Sequence, residues 1–206
     1  MFRIISILIG YFIGCFQTAF LVGKMSHHID IRKHGSGNAG TTNVIRVLGW
    51  KAGILTFLGD LLKAIVAVII CRWLWPDSSL LAGVYGGAAV VIGHNWPLFL
   101  GFKGGKGIAS TVGVLLALDW RLGLIAILTM ICIIGITRYV SLGAIVMVSL
   151  IPITLLLFYP NENEVFCIGL FLMLSALIRH RSNIYRLVTK TESKLGYQSK
   201  NKVEEK

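Results

Sequence analysis

Long, almost unbroken apolar runs constrain this chain more than any other feature, at residues 4–23, 53–75, 80–100, 141–159 and 165–178. An α-helix needs roughly 20 apolar residues to cross a ~30 Å hydrocarbon core, and backbone in lipid must satisfy its own hydrogen bonds. The runs therefore predict an all-α, polytopic integral membrane helical bundle. Between the third and fourth lie two shorter stretches, 108–118 and 122–137, separated by Asp119, Trp120 and Arg121. They predict a short fourth and fifth helix or one re-entrant hairpin, and either returns the chain to the side it left. The expected count is about seven transmembrane helices.

Composition agrees. Of 206 residues, 55% are hydrophobic and only 14% charged, too little charge to coat a water-soluble globule. The formal net charge is +11. No long Lys/Arg block occurs in the first half, so nucleic acid is not the expected partner; the positive-inside rule accounts for the excess. With the N-terminus outside, sixteen of the twenty Lys and Arg fall on the cytoplasmic side, Arg3, Arg72 and Arg121 fall outside, and Lys63 lies within a span. The C-terminus is then cytoplasmic. Asp77, Asp119, Glu162 and Glu164 lie in the exterior turns, which agrees with this sidedness. Arg3 before an apolar run could open a signal peptide, but no small-residue cleavage site follows, so the segment reads as a retained helix. Residues 1–187 are expected to form one membrane domain and 188–206 a mobile, polar cytoplasmic tail. The four cysteines fit no metal-ligand spacing, and no cofactor is expected.

Three polar islands interrupt the apolar chain, and this topology puts all of them on the cytoplasmic face. The first is Gly35-Ser36-Gly37-Asn38-Ala39-Gly40-Thr41-Thr42-Asn43, followed by Arg46. Its opening satisfies the three-glycine dinucleotide pattern, but no strand precedes it, so that reading fails on context. Its glycines let the backbone turn N–H groups toward an anion; a flexible turn that caps a helix fits the residues equally well. The second island, Gly101-Phe102-Lys103-Gly104-Gly105-Lys106-Gly107, is one residue short of a phosphate-binding Walker loop and lacks its Ser or Thr. Leading into a helix N-terminus with two lysines, it still suits phosphate. His94 and Asn95 precede it, and His94 reads as a ligand group or as a buried helix-contact histidine.

The third island is Arg179-His180-Arg181-Ser182-Asn183-Ile184-Tyr185-Arg186-Leu187. On a helix, His180 and Asn183 share a face, with Arg186 a further turn along. Within the second apolar run, Asp60 and Lys63 stand three apart and are expected to pair. The turn from Arg138 to Ser141 faces the same side.

Together the three islands resemble one family, the bacterial membrane-integral acyl-phosphate:glycerol-3-phosphate acyltransferases, whose ordered motifs fall on 35–43 with Arg46, on 101–107, and on His180, Asn183, Arg186 and Leu187. The resemblance implies transfer of a fatty acyl group from acyl phosphate to the 1-hydroxyl of glycerol 3-phosphate. The products are lysophosphatidic acid and inorganic phosphate. It implies Ser36, Arg46, His180 and Asn183 as catalytic residues. Gly37, Asn38, Gly40, Thr41, Asn43, Lys103, Gly104, Gly105, Lys106, Gly107 and Ser141 are implied to bind substrate. The implied setting is the bacterial inner membrane with the site facing the cytoplasm. Implied partners are the two substrates, membrane lipid and the soluble enzyme that makes acyl phosphate. One departure stands out: the family usually carries Glu immediately before the Asn, where this chain has Ser182. The soluble-type signature, His followed four residues later by Asp, occurs at none of the five histidines. The rival reading from another class is a small-anion transporter or channel, which predicts a midplane site open to both sides.

Overall fold

The computed structural model describes residues 1–196, which are helix and loop with no strand among them. In chain order the helices are α1 (Phe2–Gly14), α2 (Thr18–His27), α3 (Thr41–Leu48), α4 (Trp50–Leu74), α5 (Ser79–Asn95), α6 (Ile108–Leu118), α7 (Trp120–Thr137), α8 (Val140–Phe158), α9 (Asn163–Arg179) and α10 (Arg181–Val188). Four stretches are long and apolar enough to cross a membrane: Phe2–His27, Trp50–Leu74, Trp120–Thr137 and Val140–Phe158. Together α9 and α10 make a fifth, bent by 60°. Large apolar side chains on α4, α7 and α8, such as Leu62, Ile69, Leu128, Ile131 and Leu157, face outward, as lipid contact requires.

Two expectations about spans change. The fifth segment is not short: Asp119 caps it by accepting the Arg121 N–H at 2.9 Å, so Trp120 and Arg121 join an 18-residue helix about 27 Å long. Only α6, with 11 residues and about 17 Å, is abbreviated. The first window is interrupted at Cys15–Gln17, which leaves the carbonyls of Gly14 and Phe16 without helical partners. Lys63 on α4 donates to both, and the Gln17 amide donates to Gly14 and to the His94 carbonyl on α5. Irregular backbone at membrane depth is tolerable where such groups satisfy it.

Helix α5 sits at the centre, against α1, α4, α6 and α9. Its small residues permit close approach, the device that packs helices where lipid supplies no hydrophobic drive. At the α1 crossing a Cβ on Gly10 would collide with the Gly86 carbonyl. A second layer joins α6, α7, α8 and α9 through Val112, Leu115, Leu122, Met147, Ile151 and Val165. A small cluster of Ala19, Ile31, Ala39, Val44 and Val47 seats α3 against the rest.

The two ends of the bundle differ. At one, Arg3 pairs with Glu164 at 2.6 Å, the Tyr85 hydroxyl donates to Glu164 at 3.1 Å, and the Tyr159 hydroxyl donates to Asp119 at 3.2 Å. At the other, the start of α6 and the end of α7 line one cavity, through Ile108, Ala109, Met130 and Ile134.

Candidate active site

All three islands meet at that cavity, whose volume is about 590 Å³. From the first, Ser36, Asn38, Gly40, Thr41, Thr42, Asn43 and Arg46 line it; Gly37 does not. Gly35 and Gly37 take φ of +59° and +72°, the left-handed region that a glycine tolerates. The Ser36–Gly40 loop ends at the first turn of α3, where the Asn43 N–H bonds to the Gly40 carbonyl at 3.0 Å and the Thr41 and Thr42 N–H groups have no intrahelical partner. The Thr41 hydroxyl there is buried without a hydrogen-bond partner among the described residues. Arg46, half-buried in the last turn of α3, makes no side-chain hydrogen bond to another described residue.

Asn43 is a brace, not the free ligand expected. Its Oδ1 accepts the Ser36 N–H at 2.8 Å, and its Nδ2 donates to the carbonyls of Ile31 at 3.2 Å and His34 at 3.0 Å. These bonds fasten the loop to its own helix and engage both amide groups.

The second island also departs from expectation. The Gly104 and Gly105 N–H groups donate to the carbonyls of Asn95 and His94 at 3.3 and 3.1 Å, capping the end of α5. Their carbonyls accept from Arg179, at 2.6 Å from Nη2 to Gly105, and that guanidinium lies over the Trp96 ring at 5.4 Å. Neither glycine lines the cavity, because helix capping and Arg179 use their polar groups. Lys103 is exposed and also outside it. Lys106 and Gly107, at the N-terminus of α6, do reach it.

The Lys106 ammonium donates to Asn183 Oδ1. Burial, reinforced by the nearby guanidinium groups of Arg186, Arg179 and Arg46 and opposed by Glu192, takes its pKa down to about 8.

In the third island, His180 occupies the corner between α9 and α10 instead of a helical turn. Its Nδ1 lies 2.8 Å from the Ala176 carbonyl, an acceptor only, so Nδ1 carries the proton and Nε2 a lone pair. Burial first, then Lys106, lower its pKa to about 4, and the ring is neutral at pH 7. His180, Asn183 and Arg186 all line the cavity, and so does Ser141.

Sequence reasoning missed Glu192. The segment from Thr189 to Gly196, expected to belong to a mobile tail, folds back over the site; residues 197–206 of that tail lie outside the described residues. Glu192 Oε1 accepts from Ser141 and from Asn183, both at 2.7 Å, and its Oε2 from Arg186 at 2.6 Å. Backbone pairing of Leu195 N–H with the Arg138 carbonyl at 2.7 Å holds the segment down. Three Glu residues are scattered in this Lys-rich tail, and no pattern singles out Glu192. Arg179 was also missed, since it reads as an ordinary basic helix flank.

Apolar side chains also line it: Ile45, Trp50, Phe57, Met130, Ile134 and Ala144. Cations together with apolar side chains on one cavity suit an amphiphile with an anionic head. Asp60 and His94 line the inner end, with Asp60 paired to Lys63 at 2.9 Å as expected.

Comparison with known proteins bears on this geometry. A family model described as glycerol-3-phosphate acyltransferase matches residues 4–190. A glycerol-3-phosphate acyltransferase of Alkaliphilus metalliredigens is 47% identical over 197 residues, covering 95% of this chain and 97% of its own. One from Clostridioides difficile is 42% identical, covering 94% and 95%. Among solved structures, the integral membrane glycerol 3-phosphate acyltransferase PlsY (YgiH) in its glycerol 3-phosphate form aligns with a TM-score of 0.86 at 34% identity, covering 94% and 96% of the two chains. Its lysophosphatidic acid form aligns with a TM-score of 0.84 at 33% identity, covering 94% and 95%.

Proposed function

This chain belongs to the glycerol-3-phosphate acyltransferase family, a premise from which we propose that it takes the acyl group from acyl phosphate and delivers it to the 1-hydroxyl of glycerol 3-phosphate. It is an integral membrane acyltransferase acting on glycerol 3-phosphate. The donor, the inner-membrane setting, the cytoplasmic orientation of the site and a count of seven crossings, with α5 and the short α6 among them, are parts of the proposal.

One observation carries it: Arg46, Lys106 and Arg186 converge with His180 on a cavity that is also lined by the apolar side chains of Ile45, Trp50, Phe57, Met130 and Ile134. Two phosphorylated reactants need cations, and the acyl chain needs hydrocarbon walls. In this reading the loop from Ser36 to Gly40 and the first turn of α3, with the Thr41 hydroxyl, hold the acyl phosphate. Arg46, Lys106, Ser141, His180 and Asn183 hold glycerol 3-phosphate.

The glycerol oxygen adds to the acyl carbonyl carbon, the carbon–oxygen bond to phosphate breaks, and the hydroxyl proton leaves on phosphate. Positioning and charge stabilisation supply the acceleration. The Nε2 lone pair of His180 accepts a hydrogen bond from the hydroxyl, but with a pKa of about 4 it is a weak base, which favours a substrate phosphate as final proton acceptor. Ser36 has no side-chain base hydrogen-bonded to it among the described residues, which argues against an acyl-serine intermediate.

The test uses purified protein in detergent with acyl phosphate and glycerol 3-phosphate. Phosphate should appear in step with lysophosphatidic acid, and acyl-CoA or acyl carrier protein should not substitute. Turnover with acyl-CoA alone would overturn the donor; anion uptake into vesicles without phosphate release would favour a transporter.

A further inference from the structure

His94 lies near the end of α5, 3% exposed, at the inner end of the cavity, and the chemistry above gives it no task. Its Nδ1 sits 2.9 Å from Lys63 Nζ. Lys63 also donates to Asp60 Oδ1 at 2.9 Å and to the carbonyls of Gly14 and Phe16 freed by the α1–α2 break. An ammonium has hydrogens only to give, and Nδ1 stands closer to Nζ than the Gly14 carbonyl, which lies at 3.3 Å and already accepts from Gln17, so Nδ1 is assigned as an acceptor. Asp60 Oδ1, 3.5 Å from Nδ1, is the more distant neighbour, and it already accepts from Lys63 and from the Thr18 hydroxyl at 3.1 Å. The ring's one proton is therefore on Nε2. That edge faces Gly105 and the Ala39 carbonyl: a Cβ on Gly105 would collide with Nε2 and press on the Ala39 oxygen. No described residue forms a hydrogen bond with Nε2, and His94 is among the residues that line the cavity.

We propose that His94 is a further catalytic residue, a neutral hydrogen-bond donor whose Nε2–H holds the acyl carbonyl oxygen as negative charge builds on it. This rests on reading the cavity as the acyl-phosphate site. Lys63 polarises the ring from its far side, and hydrogen bonds in series strengthen one another in a low-dielectric interior. The wiring is the reverse of a carboxylate–histidine base, in which Nδ1 donates and Nε2 accepts. His180 has that opposite tautomer, so the cavity holds one imidazole that accepts and one that donates. As the glycerol oxygen adds to the carbonyl carbon, the carbonyl π pair moves onto oxygen, where the Nε2–H meets it. The pair returns as phosphate departs, and His94 neither gains nor loses a proton. A neutral imidazole acting as electrophile is established chemistry for carbonyl substrates.

The test compares His94→Leu and His94→Gln. Leu removes the donor while leaving Lys63 three acceptors, in Asp60, Gly14 and Phe16, for its three hydrogens. Gln can accept from Lys63 through its oxygen and donate through its nitrogen. With thermal melting in detergent matched to wild type, the Leu variant should lose about 10²-fold or more in kcat, the usual effect of deleting such a donor, with KM for glycerol 3-phosphate little changed. Gln should recover at least about a tenth of the wild-type kcat. Nitrogen-15 NMR of histidine-labelled wild type, with His94 assigned by its loss in the Gln variant, should show hydrogen on Nε2 and a lone pair on Nδ1.

A wild-type kcat in a folded Leu variant, a Gln variant no better than Leu, or a proton on Nδ1 would each overturn the proposal. If the Leu variant does not fold, the Gln kinetics and the tautomer decide. Wild-type protein inert toward acyl phosphate would instead defeat the donor reading, and the tautomer measurement separates the two failures.

Discussion

Binding of glycerol 3-phosphate should weaken about tenfold between pH 7 and pH 9 through Lys106 alone. Burial holds this lysine at a pKa of about 8, with Arg186, Arg179 and Arg46 acting in the same direction and Glu192 against them. The ammonium fraction then falls from about nine-tenths to about one-tenth over that interval, a ~10-fold loss equivalent to about 1.4 kcal/mol. The sign follows from which form the empty site disfavours. The lowered pKa means that the phosphate-pairing ammonium is present below pH 8 and lost above it. Bound glycerol 3-phosphate restores the ammonium, so the limb belongs to the enzyme without glycerol 3-phosphate and appears in kcat/KM for that substrate, with kcat flatter. Initial rates at saturating acyl phosphate and constant ionic strength, from pH 6 to 9.5, measure it. Lys106→Arg should lift the limb beyond the range, since a guanidinium stays protonated. Glu192→Gln should move it to lower pH by removing the carboxylate that stabilises the ammonium. A kcat/KM level through pH 9 in wild type, or a limb unmoved in Lys106→Arg, would refute the reasoning.

Arg46→Lys should cost about tenfold or more in kcat/KM despite its preserved charge, because a guanidinium grips phosphate with two parallel hydrogen bonds and an ammonium does not; kinetics with each substrate varied will show it, and unchanged values would remove Arg46 from the site. Gly105→Ala forces a methyl into His94 Nε2 and the Ala39 carbonyl, so it should lower the melting temperature by an amount equivalent to about 1–3 kcal/mol and reduce kcat as well as raise KM. An effect confined to KM would mean that the loop yields without disturbing the inner wall. Asn43→Ala deletes three hydrogen bonds that tie the Ser36 loop to α3, and should depress activity while exposing the loop to protease, each lost bond being worth about 1 kcal/mol; protection equal to wild type would show that the loop holds its shape unaided.

Much of the architecture was legible in the order of residues. The segments 53–75 and 141–159 read as spans and are long apolar helices, because lipid admits only backbone that bonds to itself. Arg46, Lys106, Ser141, His180 and Asn183 were nominated together because the expected topology put their islands at one end and the family resemblance singled them out, and they do share a cavity. The assignments that failed did so for local reasons. Gly104, Gly105 and Asn43 looked available as ligands, but the end of α5 and the backbone of the first loop claim their polar groups. A motif records which donors exist and says nothing of which are already spent.

By itself, then, the sequence determined that this chain is a helical membrane protein with its polar chemistry gathered at one end, since the composition of each segment decides whether water or lipid can surround it. Only the tertiary structure decided that Glu192 reaches back to Ser141, Asn183 and Arg186, that Arg179 takes up the Gly105 carbonyl, and that Nδ1 faces the Lys63 ammonium in His94 but the Ala176 carbonyl in His180. Each of these depends on which partner stands within about 3 Å of a given atom. That partner comes from another helix or turn, at a separation in the chain that no periodicity encodes.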